Sequence, residues 1–116
     1  NRSIDRNRIY VMGLSMGGWG TWDAISRRPE FFAAAVPICG SGDPVQSSKL
    51  TNIPIWVWHG ERDDVISVSG SQKMVRAIDG AGGNIRYNEI KGRGHDSWLD
   101  VWNSQDLWKW LYEQRK

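Results

Sequence analysis

Three short segments hold residue types that can do chemistry together. Gly13-Leu14-Ser15-Met16-Gly17 reads G-x-S-x-G, between the apolar run Arg8-Ile9-Tyr10-Val11-Met12 and a helix-like stretch from Gly18 to Arg28. A serine in that setting lies on a sharp strand-to-helix turn with its hydroxyl clear of the sheet, and both flanking glycines are expected because side chains there would meet neighbouring backbone. Such a hydroxyl becomes a nucleophile only when a base takes its proton and a third group holds that base in the right tautomer. The chain has two histidines. His59 ends the third strand in His59-Gly60-Glu61-Arg62-Asp63-Asp64, and His95 lies in the turn Gly92-Arg93-Gly94-His95-Asp96 after the fourth strand. His95 is the better base, since a glycine-rich turn presents an imidazole over the carboxyl ends of the strands, where open α/β sheets place their chemistry. His59 reads as structural, its ring packed or bonded within its loop. The acid should follow the strand between serine and histidine. Asp63 satisfies that order, with Asp64, Glu61 and Asp96 as alternatives.

The elements that must hold these residues alternate along the chain. Residues 8–13 read as a strand, 16–28 as a helix stopped by Pro29, and 33–38 as a second strand. Gly40-Ser41-Gly42-Asp43-Pro44 is a loop, and the stretch to Asn52 is irregular or a short helix. In the third strand, 54–58, Ile55 and Val57 point one way while Trp56 and Trp58 point the other, so both faces are apolar, as in a strand covered by helices on two sides. A helix over 69–78 stops at Gly80 to Gly83, and a fourth strand spans 85–90. One amphipathic helix over 99–112 closes the chain, with Leu99, Trp102, Leu107, Trp110 and Leu111 as its buried stripe. This order predicts an α/β protein built on a parallel sheet of about four strands with flanking helices.

Composition excludes several classes. The 116 residues suit one domain spanning 1–116, and 40% hydrophobic and 24% charged residues with a net charge of +2 describe a soluble globular protein. The scattered Arg2, Arg6, Arg8, Arg115 and Lys116 form no basic stripe for nucleic acid. The longest apolar stretch, Phe31 to Cys39, falls well short of the roughly 20 residues of a membrane span. The start of the chain shows no charged-then-apolar leader. The expectation is therefore a soluble protein, cytoplasmic or secreted after leader removal. A lone Cys39 excludes an internal disulfide and a multi-cysteine metal site, and reads as a buried thiol following a strand. No metal and no cofactor are expected. Of the eight tryptophans, most read as core, with Trp19 and Trp98 as candidates to line an acyl pocket.

Taken together, Gly13-Leu14-Ser15-Met16-Gly17-Gly18, His59-Gly60-Glu61-Arg62-Asp63 and Gly94-His95-Asp96-Ser97-Trp98 resemble the C-terminal half of α/β-hydrolase esterases. The subgroup they are most similar to is that of phospholipase/carboxylesterases and polyhydroxybutyrate-depolymerase-like esterases. Pro29-Glu30-Phe31-Phe32-Ala33-Ala34-Ala35 and Pro37-Ile38-Cys39-Gly40 resemble family segments in the same register. The resemblance implies Ser15 as nucleophile, His95 as general base, Asp63 as the residue that orients it, and the Met16 backbone N–H as one oxyanion donor. It implies a serine carboxylesterase acting on short-chain esters through an acyl-enzyme, with activity rising through about pH 6 to 7 as an imidazole base loses its proton. It also implies a truncated fold, in which the strand before Ser15 becomes an exposed apolar edge that invites pairing, so a homo-oligomer is expected. The loop that gives the family its second oxyanion donor has no counterpart. A noncatalytic fragment or assembly module is the alternative reading, and within the enzyme class a peptidase or lactonase using the same triad.

Overall fold

The computed structural model describes residues 5–116. Its strands β1 (Tyr10–Leu14), β2 (Ala34–Ile38), β3 (Ile55–Gly60) and β4 (Ile85–Ile90) form one sheet in the order β1-β2-β3-β4. All three pairings are parallel, as the repeated strand–helix alternation requires. Between them lie α1 (Met16–Arg27), a 3₁₀ segment (Pro44–Leu50) and α2 (Val68–Gly80), and the chain ends in α3 (Trp98–Trp102) and α4 (Gln105–Glu113).

The alternation of β3 divides the core as its sequence predicts. Ile55 and Val57 join Trp22 and Ile25 of α1, Met74 and Ile78 of α2, and Leu50 on one face of the sheet. Trp56 and Trp58 join Val36 and Ile38 of β2 with Val101, Leu107 and Leu111 of α3 and α4 on the other. Every residue of β2 and β3 is buried, whereas β4 has only half-buried and exposed positions, with Asn88 and Glu89 both exposed. Pro37 interrupts the β2–β3 ladder. Its paired positions are Ala35–Ile55 and Ile38–Trp58, and the proline between them has no N–H to donate.

Three expectations are corrected. The last helix is two helices. The chain turns at Asn103, and Ser104 caps α4 by accepting the Leu107 N–H at 3.1 Å. A serine at that point starts a new helix more readily than it continues one. The turn rotates the first part of the supposed stripe out of register, so Leu99 and Trp102 are exposed and Val101 is buried in their place. Trp102 instead stacks on Trp108, whose ring stacks on Tyr112. β3 also runs past the expected bound at Trp58 to Gly60, one residue beyond the His59 that was expected to end it. The third correction concerns Gly17, where an added Cβ would meet nothing within 4 Å. Of the two glycines flanking Ser15 in the motif only Gly13 is sterically required, because its Cβ would run into the Gly17 backbone, while Gly18 just beyond is required by the closeness of Ile38 O.

β1 pairs only with β2, so among the described residues one of its edges carries no partner strand. Its N-terminal end is clasped by the end of the chain: Tyr10 Oη donates to Gln114 O at 2.9 Å, Arg8 Nη2 donates to Tyr112 O at 3.0 Å, and the Lys116 N–H donates to Asn7 O at 2.8 Å. No helix is long and apolar enough to cross a membrane among the described residues.

Candidate active site

Ser15 stands between β1 and α1 at φ 58°, ψ −118°, a conformation that L-residues rarely adopt. Strain of this kind costs on the order of 1–3 kcal/mol and persists only where surrounding structure over-determines it. Here the Ser15 N–H donates to Ile38 O at 2.9 Å, which pins the turn to the end of β2, and its own carbonyl accepts from Gly18 and Trp19 as α1 begins. The hydroxyl is thereby held at the carboxyl edge of the sheet.

The loops after β3 and β4 are tied to each other before they meet the serine. The Arg62 N–H donates to Arg93 O at 2.9 Å, the Glu61 N–H to Ile90 O at 3.0 Å, and the Gly92 N–H to Glu61 Oε1 at 3.0 Å. Gly60 is what lets them approach, because a Cβ there would collide with the carbonyl oxygens of Arg93 and Gly94. Arg93 in turn grips Asp100 of α3 through two hydrogen bonds, at 2.8 and 3.2 Å. The result is a hydrogen-bonded line from three different strand ends. His95 Nε2 lies 2.8 Å from Ser15 Oγ, and His95 Nδ1 lies 2.7 Å from Asp63 Oδ2. The carboxylate can only accept, so Nδ1 carries the ring proton and Nε2 is free to accept from the serine.

Asp63 is buried and fully coordinated. Its Oδ1 accepts the backbone N–H groups of Val65 at 2.9 Å and Ile66 at 2.8 Å. Burial pushes its carboxyl up, but the bonds from His95, Ile66 and Val65 outweigh burial and hold it below the ordinary carboxylate value. Of the four acids weighed from sequence, the structure brings Asp63 alone to His95 Nδ1. Asp96 faces Arg93 instead, at 3.6 Å, and Glu61 serves the Gly92 amide.

His59 is wholly buried. Its Nδ1 meets Ser71 Oγ at 2.6 Å and its Nε2 meets Ile66 O at 2.8 Å, in keeping with the structural reading. It also reaches Asp63 Oδ2 at 3.2 Å, a contact that reading did not include. The spacing of four residues between His59 and Asp63, across a strand end and a tight turn, was the available sign.

Met16 opens α1, where first-turn amides have no acceptor within the helix and the helix dipole favours negative charge, so its N–H is suited to an oxyanion. Trp19 is half exposed and lines an open cleft of about 560 Å³ with Trp22, Asp23, Ser26, Gly42 and Lys49, none of them a member of the Ser15–His95–Asp63 line. Trp98 packs against the α3/α4 side of the core. Cys39 is buried directly after β2, and its Sγ donates to His95 O at 3.7 Å. Burial pushes the thiol up, away from the reactive thiolate. Donor atoms of Cys39, Asp63 and His95 lie within 4.8 Å of one another, but the last two are already bonded to each other.

A parallel sheet covered by helices on both faces, with a strained serine between strand and helix and a histidine and an aspartate on later strand ends, is an α/β-hydrolase fold. The chain belongs to the dienelactone hydrolase family, whose profile matches residues 1–96. A thermostable esterase of known structure superposes with a TM-score of 0.95 at 45% identity over 97% of this chain, which spans 32% of that protein. A bifunctional acetylxylan esterase/xylanase from Neocallimastix patriciarum is 37% identical over 56% of the chain, and poly(3-hydroxyalkanoate) depolymerase C from Paucimonas lemoignei is 48% identical over 34%. The chain spans 10–14% of the length of the curated relatives it matches.

Proposed function

We propose that this chain carries the nucleophile, base and orienting acid of a serine carboxylic ester hydrolase. The observation that carries the reading is the continuous Ser15–His95–Asp63 hydrogen-bonded line, at 2.8 and 2.7 Å. As Ser15 Oγ attacks the ester carbonyl carbon, its proton passes to His95 Nε2, and the imidazolium is stabilised by Asp63. The tetrahedral oxyanion lies toward the Met16 N–H at the positive end of α1. The carbon–oxygen bond to the alcohol then breaks, with His95 returning the proton to the leaving oxygen. Water, deprotonated by the same imidazole, releases the acid and restores Ser15.

Short-chain esters are the substrates this site favours. They are intrinsically reactive and tolerate an oxyanion site to which this chain contributes a single identified donor. Trp19 and Trp98 are proposed acyl contacts on the strength of their neighbourhood in sequence to Ser15 and His95. A fluorophosphonate probe is expected to label Ser15 with one-to-one stoichiometry, and Ser15→Ala to lose both label and hydrolysis. Folded wild-type protein that takes no label points to the noncatalytic reading instead.

That β1 pairs only with β2 among the described residues supports a second proposal, that copies of the chain associate through its other edge, since an edge without a partner strand favours pairing. Light scattering is expected to return a mass of at least twice the 13.2 kDa of one chain. A monomer in dilute solution overturns it.

A further inference from the structure

We infer that the open cleft along α1 is the subsite for the alcohol part of the ester, and that this alcohol is a neutral saccharide whose ring packs on Trp19. The inference rests on the proposed Ser15–His95–Asp63 reading and adds the substrate class that the triad leaves open. Trp19, Trp22, Asp23, Ser26 and Arg27 line one wall of the cleft. They stand 4, 7, 8, 11 and 12 residues after Ser15, the spacing that keeps side chains on one face of a helix. The cleft therefore begins one helical turn, about 6 Å, beyond the nucleophile and follows α1 away from it for about 12 Å more. The Cα–Cβ bonds along this wall tilt toward the helix N-terminus, which is to say toward Ser15. The opposite wall is the 3₁₀ segment. Asp43 caps it, and Asp43, Gln46 and Lys49 recur at every third residue, the period of a 3₁₀ helix, so they form one polar row along the cleft. The two walls meet at Gly42, which lays the loop after β2 directly on the buried Trp22: a Cβ there would come within 2.8 Å of Trp22 Cγ.

The lining selects the chemistry of the occupant. Asp23 and Asp43 balance Arg27 and Lys49 in formal charge, and Arg27 Nε already donates to Asp23 Oδ2 at 2.9 Å, so the cleft as a whole favours neither an anion nor a cation. A long acyl chain would strip water from Asp43, Gln46 and Lys49 without returning hydrogen bonds. A saccharide meets both conditions. Its ring has an aliphatic face that packs on an indole, such as the half-exposed one of Trp19, and each of its hydroxyls both donates and accepts, as a row of carboxylate, amide and ammonium groups requires. The rows repeat about every 5.4 Å on α1 and about every 6 Å on the 3₁₀ segment, close to the width of one pyranose ring. The volume of about 560 Å³ falls within the range of small-molecule sites. Bound there, the sugar presents an acylated hydroxyl to Ser15, and that hydroxyl leaves with the proton returned by His95. Trp19 stands at the junction, with the acyl group on its Ser15 side and the sugar on its cleft side.

The test titrates wild-type protein with the methyl glycosides of glucose, galactose, mannose and xylose and with a disaccharide of each, followed by NMR of the indole N–H and side-chain amide signals. Saturable shifts are expected at Trp19 and Gln46 and not at Trp108, which lies on the other side of the sheet. Trp19→Ala is expected to weaken binding of the best saccharide by about tenfold and Gln46→Ala by about fivefold. The ratio of kcat/KM for the acetate ester of that saccharide to kcat/KM for ethyl acetate is expected to fall by about the same factors. Wild type needs no variant to fold, and its failure to show a saturable shift with any of these sugars overturns the inference. Hexanoate or phosphate shifting the same signals in place of the sugars overturns it equally, since the occupant is then an acyl chain or an anion. Sugar binding without fluorophosphonate labelling overturns the esterase reading alone, and labelling without sugar binding overturns the inference alone.

Discussion

His95→Ala is expected to lower kcat for ester hydrolysis by about 10⁶-fold while leaving the fold intact, because nucleophile and base act as one unit and losing either removes nearly all of what both supply. The alternative bases are poorly placed. His59 is wholly buried with its Nε2 committed to Ile66 O, and the Cys39 thiol is bonded to the His95 backbone and kept protonated by burial. The variant is expected to fold because the imidazole is one-quarter exposed and its loop is held by bonds that do not use its side chain, among them Arg62 N–H to Arg93 O and the Arg93–Asp100 pair. Circular dichroism and a urea midpoint near that of wild type would establish that, and kinetics in the same buffer would then read the chemical loss. Partial recovery by added imidazole is expected, since the vacated space opens to solvent beside Ser15 Oγ. A loss below about a hundredfold would show that another group takes the serine proton.

The polar network was legible in sequence where it depended on chain order, and illegible where it depended on which atoms of one residue face two partners. Ser15, Asp63 and His95 follow β1, β3 and β4 in turn, so their convergence at one sheet edge follows from parallel pairing. The two-sided burial of β3 was legible because residues that alternate along a strand must face opposite layers. The break between α3 and α4 was not, because the apolar spacing from Leu99 to Leu111 suits a continuous helix and only the Ser104 hydroxyl, turned to the Leu107 N–H, decides otherwise. The role given to Gly17 failed for a related reason. A G-x-S-x-G pattern treats its two glycines as equivalent, but the turn brings the Cβ position of Gly13 against Gly17 and leaves that of Gly17 in open space. The contact of His59 with Asp63 required knowing that β3 continues to Gly60 before the chain turns back.

Asp63→Asn is expected to lower kcat by about 10⁴-fold, through tautomer control rather than loss of a charge near the substrate. An amide has one acceptor end and one donor end, and the site supplies donors on both sides. If the amide oxygen faces His95 and His59, its NH₂ confronts the backbone N–H groups of Val65 and Ile66. If it is turned round, the NH₂ donates to His95 Nδ1, the ring proton moves to Nε2, and Nε2 can no longer accept from Ser15. The first orientation leaves the buried Val65 and Ile66 N–H groups unpaired, at a cost of about 1–3 kcal/mol in stability, and the second keeps them paired but only with the wrong His95 tautomer. That cost depends on pH in a way that identifies its source. Asp63 has a folded pKa below the ordinary carboxylate value of about 3.9, so its contribution to stability is complete above about pH 5 and is lost as pH falls through the lower folded value. Urea midpoints of wild type and Asp63→Asn should therefore differ most near neutrality and converge as the pH falls below the ordinary carboxylate range and the wild-type carboxyl takes up its proton. A gap that stays constant over that range would mean that the variant loses packing rather than a coordinated carboxylate, and that the line from Asp63 through His95 to Ser15 is not what holds this aspartate in place.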